Sequence, residues 1–166
     1  HCVTFLNGKY WGVYEIRERQ DKNYLAQLHS VDPDKIDLLE YNGDVIEGEN
    51  HDFLNTTSFI ANNDMSVEAN YDSVNKLIDL ENFCDYFITE TYYDNQDWII
   101  SNDPLAKPTD VNNIKFWRTN NPTGKWRYIL WDVDVAMGLF TLASDNNLQR
   151  TISGQNVHSV MLRQLL

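Results

Sequence analysis

The stretch DLENFCDYFITETYY, residues 79–93, constrains the fold more than any other part of this sequence. Asp79 is a side-chain acceptor placed to cap the orphan N–H groups of a first helical turn. Phe83, Phe87 and Ile88 then recur at the spacing of one helical face, and no Gly or Pro interrupts them. The pattern predicts a helix over Leu80–Tyr93 with an apolar stripe facing inward. Such a stripe is stable only against a partner surface, so the flanking segments must supply one.

Those segments are β-rich at both ends. Cys2–Leu6 and residues 9–17 flank Asn7-Gly8, a dipeptide that tolerates the two positive φ angles of a type I′ turn, which predicts a hairpin. Gly12 leaves a gap in the second strand for another backbone or a ligand. A short helix is expected over 21–29. Asp32-Pro33-Asp34 then turns the chain into a strand over 36–41, closed by Asn42-Gly43. Two more helices are predicted. Residues 51–61 carry Phe53, Leu54, Phe59 and Ile60. Residues 66–78 carry Val67, Tyr71, Val74 and Leu77, with Ser66 as the cap. Beyond the long helix, strands are expected over 113–118 and 125–131, joined by the turn residues of TNNPTG. The fold class is therefore α+β: a β-rich part over 1–50 and a helical part over 51–166 that ends in a β-hairpin bearing carboxylates. The opening HCVTFLNG reads as the middle of a strand, and the final VHSVMLRQLL reads as a helix without a cap. Both predict a piece of a longer chain.

Composition narrows the function. The 166 residues hold 13 Lys+Arg against 25 Asp+Glu, a formal net charge of −12. A phosphate backbone or an anionic membrane surface needs a basic face, so neither is an expected partner. A nucleotide is compatible, because Mg2+ bridges phosphates to carboxylates. No apolar run is long enough to span a membrane. Hydrophobic residues make up 42%, too many for a disordered chain. Cys2 and Cys84 are too few for a disulfide framework, and Cys84 reads as a small buried hydrophobe of the long helix.

The residues that bear chemistry are carboxylates at the ends of packed elements. Asp97 follows the long helix, and Asp132 and Asp134 follow the strand ending ILW. An apolar strand that delivers two carboxylates into a loop broken by Gly138 is costly unless a cation or hydrogen-bond donors satisfy them. Read without further context, such Asp residues are turn formers or solvated surface. Trp11, Trp98, Trp117, Trp126 and Trp131 invite a carbohydrate-binding reading, although Trp at strand positions is more often core. Asn55-Thr56-Thr57 matches a glycosylation sequon.

Four segments together carry a family resemblance: NGKYWGVYEIRERQD, DLENFCDYFITETYYDNQDW, NNIKFWR and GKWRYILWDVDVAMG. They resemble the CotH family, the spore-coat-protein-H-like atypical protein kinases, in the right order from about Val3 to Gly138. The resemblance implies an atypical protein-kinase-like fold that uses ATP and Mg2+ to phosphorylate Ser or Thr of a protein partner. A kinase needs a base for the acceptor hydroxyl, an Asp and often an Asn on the metal, and a cation on the phosphates. By resemblance, Asp97 is the catalytic base, Asp132 the metal-binding Asp, and Asp134 a second ligand or a support. Asn113, at the start of the IKFWR strand, matches the metal-binding Asn. Asn102 is its rival, at the D-x-x-x-x-N spacing of ordinary kinases. The family's E-K-x-D segment here reads Glu18-Arg19-Gln20-Asp21, which puts Arg19 at the phosphate-contacting position, with Glu18 pairing with it or reaching the metal. Arg for Lys exchanges a point charge for a planar fork. The GKYWG turn could also lie over the phosphates, and the nucleotide is expected between the β-rich and helical parts. An extracytoplasmic place, secreted, cell-surface or spore coat, is implied by the family alone. Two other functions compete: a catalytically inactive kinase-shaped scaffold, and an extracellular calcium- or carbohydrate-binding module.

Overall fold

The computed structural model describes residues 1–99, 107 and 109–166. Its contacts divide the chain into two compact units, His1–Asp34 and Lys35–Leu166. Among the described residues, six helices and two antiparallel sheets make the fold α+β, as the order of patterns predicts.

The first unit is a hairpin followed by a helix. Strands β1 (Cys2–Leu6) and β2 (Lys9–Tyr14) pair antiparallel around Asn7 and Gly8, whose φ angles of 51° and 78° are those the turn demands. The second strand stops at Tyr14, short of the expected 17, and the register shifts between Thr4 and Phe5. Helix α1 (Lys22–His29) begins at Asp21, whose carboxylate accepts from the N–H groups of Asn23 and Tyr24.

The second unit is built on a four-stranded sheet in the order β4-β3-β5-β6. Its strands are β3 (Ile36–Glu40), β4 (Asp44–Glu47), β5 (Lys115–Thr119) and β6 (Arg127–Ile129). The helices are α2 (His51–Asn62), α3 (Glu68–Leu77), α4 (Leu80–Tyr93), α5 (Asn147–Ser153) and α6 (Val157–Leu165). Sheet and helices share one core, in which Phe53, Phe83, Phe116, Trp126 and Met161 are sealed from solvent. Phe53 lies against Phe116 with ring centroids 4.2 Å apart. A buried ion pair closes the far end of the sheet. Asp37 accepts from Arg118 Nε at 3.0 Å and from Asn120 Nδ2 at 2.9 Å, while Arg118 also reaches Asp52 at 2.6 Å. His158 is fully buried and joins two layers. Its Nε2 lies 2.6 Å from the carbonyl of Tyr41, which can only accept, so Nδ1 receives the Tyr128 hydroxyl at 2.8 Å. Burial pushes the imidazole down to about 4 and keeps it neutral.

Helix α4 forms with the bounds its pattern predicts, and Asp79 caps it by accepting from the Asn82 N–H. Phe83 and Phe87 face inward as expected, but Ile88 is 66% exposed, and the stripe runs instead through Tyr86 and Glu90. Ser66 does not cap α3. Its N–H goes to the Asp64 carboxylate, Val67 occupies the cap position, and of the expected apolar face only Val74 is buried. Cys84 is exposed, because it lies off the stripe. Three of the Trp residues (Trp98, Trp117 and Trp126) are core, whereas Trp11 is 60% exposed.

Candidate active site

The geometry around Asp97 begins with the way α4 is anchored. At its start, Asn82 exchanges two hydrogen bonds with the backbone of Tyr128, and the Asp79 N–H donates to the Trp126 carbonyl. At its end, Asp94 adopts a left-handed conformation, φ 55°, and its N–H closes onto the carbonyls of Glu90 and Thr91. The chain leaves the helix sharply into residues 95–99, and this segment is tied down on several sides. Asn156, the cap of α6, donates to the carbonyl of Ile99, and the Asn112 N–H donates to that of Trp98. Arg150 of α5 grips Asp94 at 2.7 Å and Gln96 at 2.6 Å, and Thr141 bonds to Asp94 as well.

Asp97 is held at both ends. Its N–H donates to Asn95 Oδ1 at 3.0 Å. Its carboxylate accepts from Asn112 Nδ2 at 2.9 Å on one oxygen and from Asn113 Nδ2 at 3.2 Å on the other. Each carboxylate oxygen has lone pairs for more than one donor, so both can take a further proton donor from solvent or substrate. Asn113 sits in a left-handed conformation, φ 47°, just ahead of β5. The long sequence gap between Asp97 and Asn113 therefore closes in space. Asn102, the rival metal-binding Asn, lies outside the described residues.

Asp132 and Asp134 follow β6. Asp132 is partly buried with φ 54°, and Asp134 is exposed. Their segment runs beside the one that carries Asp97: the Gln96 N–H donates to the Val135 carbonyl at 2.8 Å, and the Met137 N–H to that of Tyr93 at 2.7 Å. Lys115 lies over the Trp131 ring at 3.8 Å and fixes the chain where it leaves the strand. The structure thus brings Asp97 to Asn113 directly, and the two Asp-bearing segments together through the backbone. Among the described residues, no group of three or more His, Cys, Asp or Glu could hold a metal. Mg2+ in a nucleotide site takes one or two carboxylates together with phosphate oxygens and water, and the carboxylate and amide oxygens of Asp132, Asp134 and Asn113 suit that hard cation. Glu18 and Arg19 are exposed in the irregular segment between β2 and α1.

Three contributors escape sequence reasoning. Asn112 and Asn95 are invisible because nothing local separates them from turn-forming Asn. Glu90 did carry a signal. It falls on the stripe of Phe83 and Phe87, where a carboxyl is out of place. It has no exposed surface, and burial pushes it up to about 7, with the Asn95 hydrogen bond at 2.9 Å opposing the shift. The Tyr86 hydroxyl also favours the charged form, yet neither it nor Glu90 Oε1 makes a hydrogen bond of normal geometry among the described residues.

The family model described as CotH kinase protein matches residues 1–166, the whole chain. No curated protein matches the chain. No solved structure matches it. The chain belongs to the CotH kinase family.

Proposed function

We propose that this member of the CotH kinase family transfers a phosphoryl group from ATP, with Mg2+, to a Ser or Thr hydroxyl of a protein. The observation that carries the reading is the joining of Asp97 to Asn113, beside the segment that bears Asp132 and Asp134. When bound, Mg2+ and ATP supply the transferable group and neutralise its charge. Asp97 accepts the proton of the acceptor hydroxyl, and the two amides on its carboxylate hold it in one rotamer while leaving lone pairs for that proton. Asn113 gives its Nδ2 to Asp97, and its carbonyl oxygen would be a ligand for Mg2+. Asp132 would be the principal carboxylate on Mg2+ and Asp134 its second ligand or support. Arg19, with Glu18, enters as the phosphate-contacting cation on the family's segment order alone. On the same family grounds the protein works outside the cytoplasm, at a cell or spore surface, which fractionation of its source cells would test.

Two substitutions separate the roles. Asp132→Asn is expected to abolish stabilisation by Mg2+ and ATP in a thermal-shift titration. For the unsubstituted chain that stabilisation is about 2.7 kcal/mol at a hundredfold excess over Kd. Asp97→Asn is expected to leave the thermal shift intact and to stop transfer, because the base acts on the acceptor and not on ATP. Transfer at the original rate by Asp97→Asn would overturn its role. Nucleotide binding without transfer by the unsubstituted chain would favour the inactive scaffold. A shift with Ca2+ alone or with a glycan, and none with nucleotide, would favour the binding module.

A further inference from the structure

Glu90 is a buried carboxyl on the apolar stripe of α4, and among the described residues no Lys, Arg or His pairs with it. A Gln or Leu would fill the same volume without the cost of burying a carboxyl. What the carboxyl contributes lies in its partner. Asn95 is 1% exposed; its Nδ2 donates to Glu90 Oε2 at 2.9 Å and its Oδ1 accepts the Asp97 N–H at 3.0 Å. An amide side chain can lie in either of two orientations, and the reversed one would set its NH2 group against the Asp97 N–H. In its ionised form, which prevails above about pH 7, the Glu90 carboxylate only accepts and permits one orientation. We propose that Glu90 is a positioning residue, which holds the Asn95 amide in the single orientation that fixes the Asp97 backbone and so aims its carboxylate. This rests on the reading of Asp97 as the base. Asn112 and Asn113 fix the tip of that side chain, and Glu90, acting through Asn95, fixes its root.

The test reverses the polarity of the pair. Glu90→Gln keeps the volume but no longer dictates the amide orientation. Asn95→Asp sets two carboxyl groups against each other. In the double variant, the new amide at position 90 donates to the new carboxylate at position 95, whose other oxygen accepts the Asp97 N–H as before. Two quantities are read on the full chain, below the melting temperature of every variant: exchange of the Asp97 amide by NMR, and kcat and KM for ATP in the transfer assay. Glu90→Gln is expected to speed Asp97 exchange about tenfold relative to core amides of α4, the loss of one hydrogen bond, and Asn95→Asp to do the same through repulsion by Glu90 that displaces the new carboxylate from the Asp97 N–H. Each is expected to lower kcat by about 100-fold, with KM for ATP nearly unchanged. The double variant should recover both. Unchanged Asp97 exchange in both single variants would overturn the proposal, as would a double variant no better than the singles. Should Asp97→Asn still transfer, or the unsubstituted chain not transfer at all, the reading of Asp97 falls, and Asp97 exchange alone still decides whether Glu90 holds the loop.

Discussion

In the hairpin of β1 and β2, Val3, Phe5, Tyr10, Trp11 and Val13 are 60–63% exposed, whereas Leu38, Leu39, Phe116 and Trp117 of β3 and β5 are at most 5% exposed. Both sheets are antiparallel and both draw on the same β-branched and aromatic residue types. The difference lies in cover. The four-stranded sheet shares its core with α2, α4 and α6, while two strands alone have no inner face to close. Strand propensity describes fitness for a pleated surface, and burial depends on what is laid over that surface.

The same truncation should therefore cost very different amounts in the two sheets. Phe116→Ala removes a ring packed on Phe53, Trp126 and Tyr128, and is expected to cost about 3–5 kcal/mol in denaturant unfolding. Phe5→Ala, which loses one edge contact with Tyr10 at 6.0 Å, should cost less than about 1 kcal/mol. Equal costs would mean that the hairpin is covered in solution.

A second contrast, within the larger unit, concerns pH. His158 sits at about 4 when folded, against an ordinary 6.5. Between those values the unfolded chain binds more protons, so this group lowers stability as pH falls from 6.5 to 4, by roughly 3 kcal/mol in full. Glu90 sits at about 7 against 4.5, so the folded chain binds more protons between those values. Its contribution is present below 4.5 and is lost as pH rises through 7. The two slopes oppose each other between 4.5 and 6.5. Urea unfolding at a series of pH values should therefore give a shallow profile for the unsubstituted chain. Glu90→Gln should steepen the loss on acidification, and a His158→Gln variant should reverse its sign. Matching profiles in all three would refute the opposition.

The smallest effects separate two glycines of nearly equal conformation. Gly8 has φ 78° with no neighbour near a Cβ, and Gly48 has φ 72° with the Asp37 carboxylate where a Cβ would go. Gly48→Ala should cost roughly 2 kcal/mol and Gly8→Ala about 1 kcal/mol, as read from thermal melts. The excess reports the crowding by Asp37 and the Ile36 carbonyl.

How legible all this is from sequence depends on how local the cause is. Asp79 and the run after it carry both the cap and the stripe within one segment, so α4 has its predicted bounds. Asn7-Gly8 likewise contains its own turn. Ser66 fails because a competitor two residues earlier, Asp64, takes its N–H. The short strand β4 and helix α5 carry too little periodicity to be seen. Of the candidate site, Asp97, Asp132, Asp134 and Asn113 are read from the family's motifs, and the fold adds where each of them lies. The contact between Asp97 and Asn113 is not legible there, because no local spacing rule sets a hydrogen bond between side chains 16 positions apart. Glu90 is missed although it carries a signal, a charge on an apolar stripe, and only the fold shows what it touches.

The strand order carries a consequence for synthesis. β3 lies between β4 and β5, and Asp37 and Arg118, which face each other across the central pairing, are 81 positions apart. A ribosome adding roughly 5–20 residues per second delivers β3 several seconds before β5 exists. During that interval Leu38 and Leu39 form part of an open, apolar strand edge on a nascent chain, and such an edge is where intermolecular pairing begins. For this fold, the speed of translation through α2, α3 and α4 sets how long that edge stays uncovered.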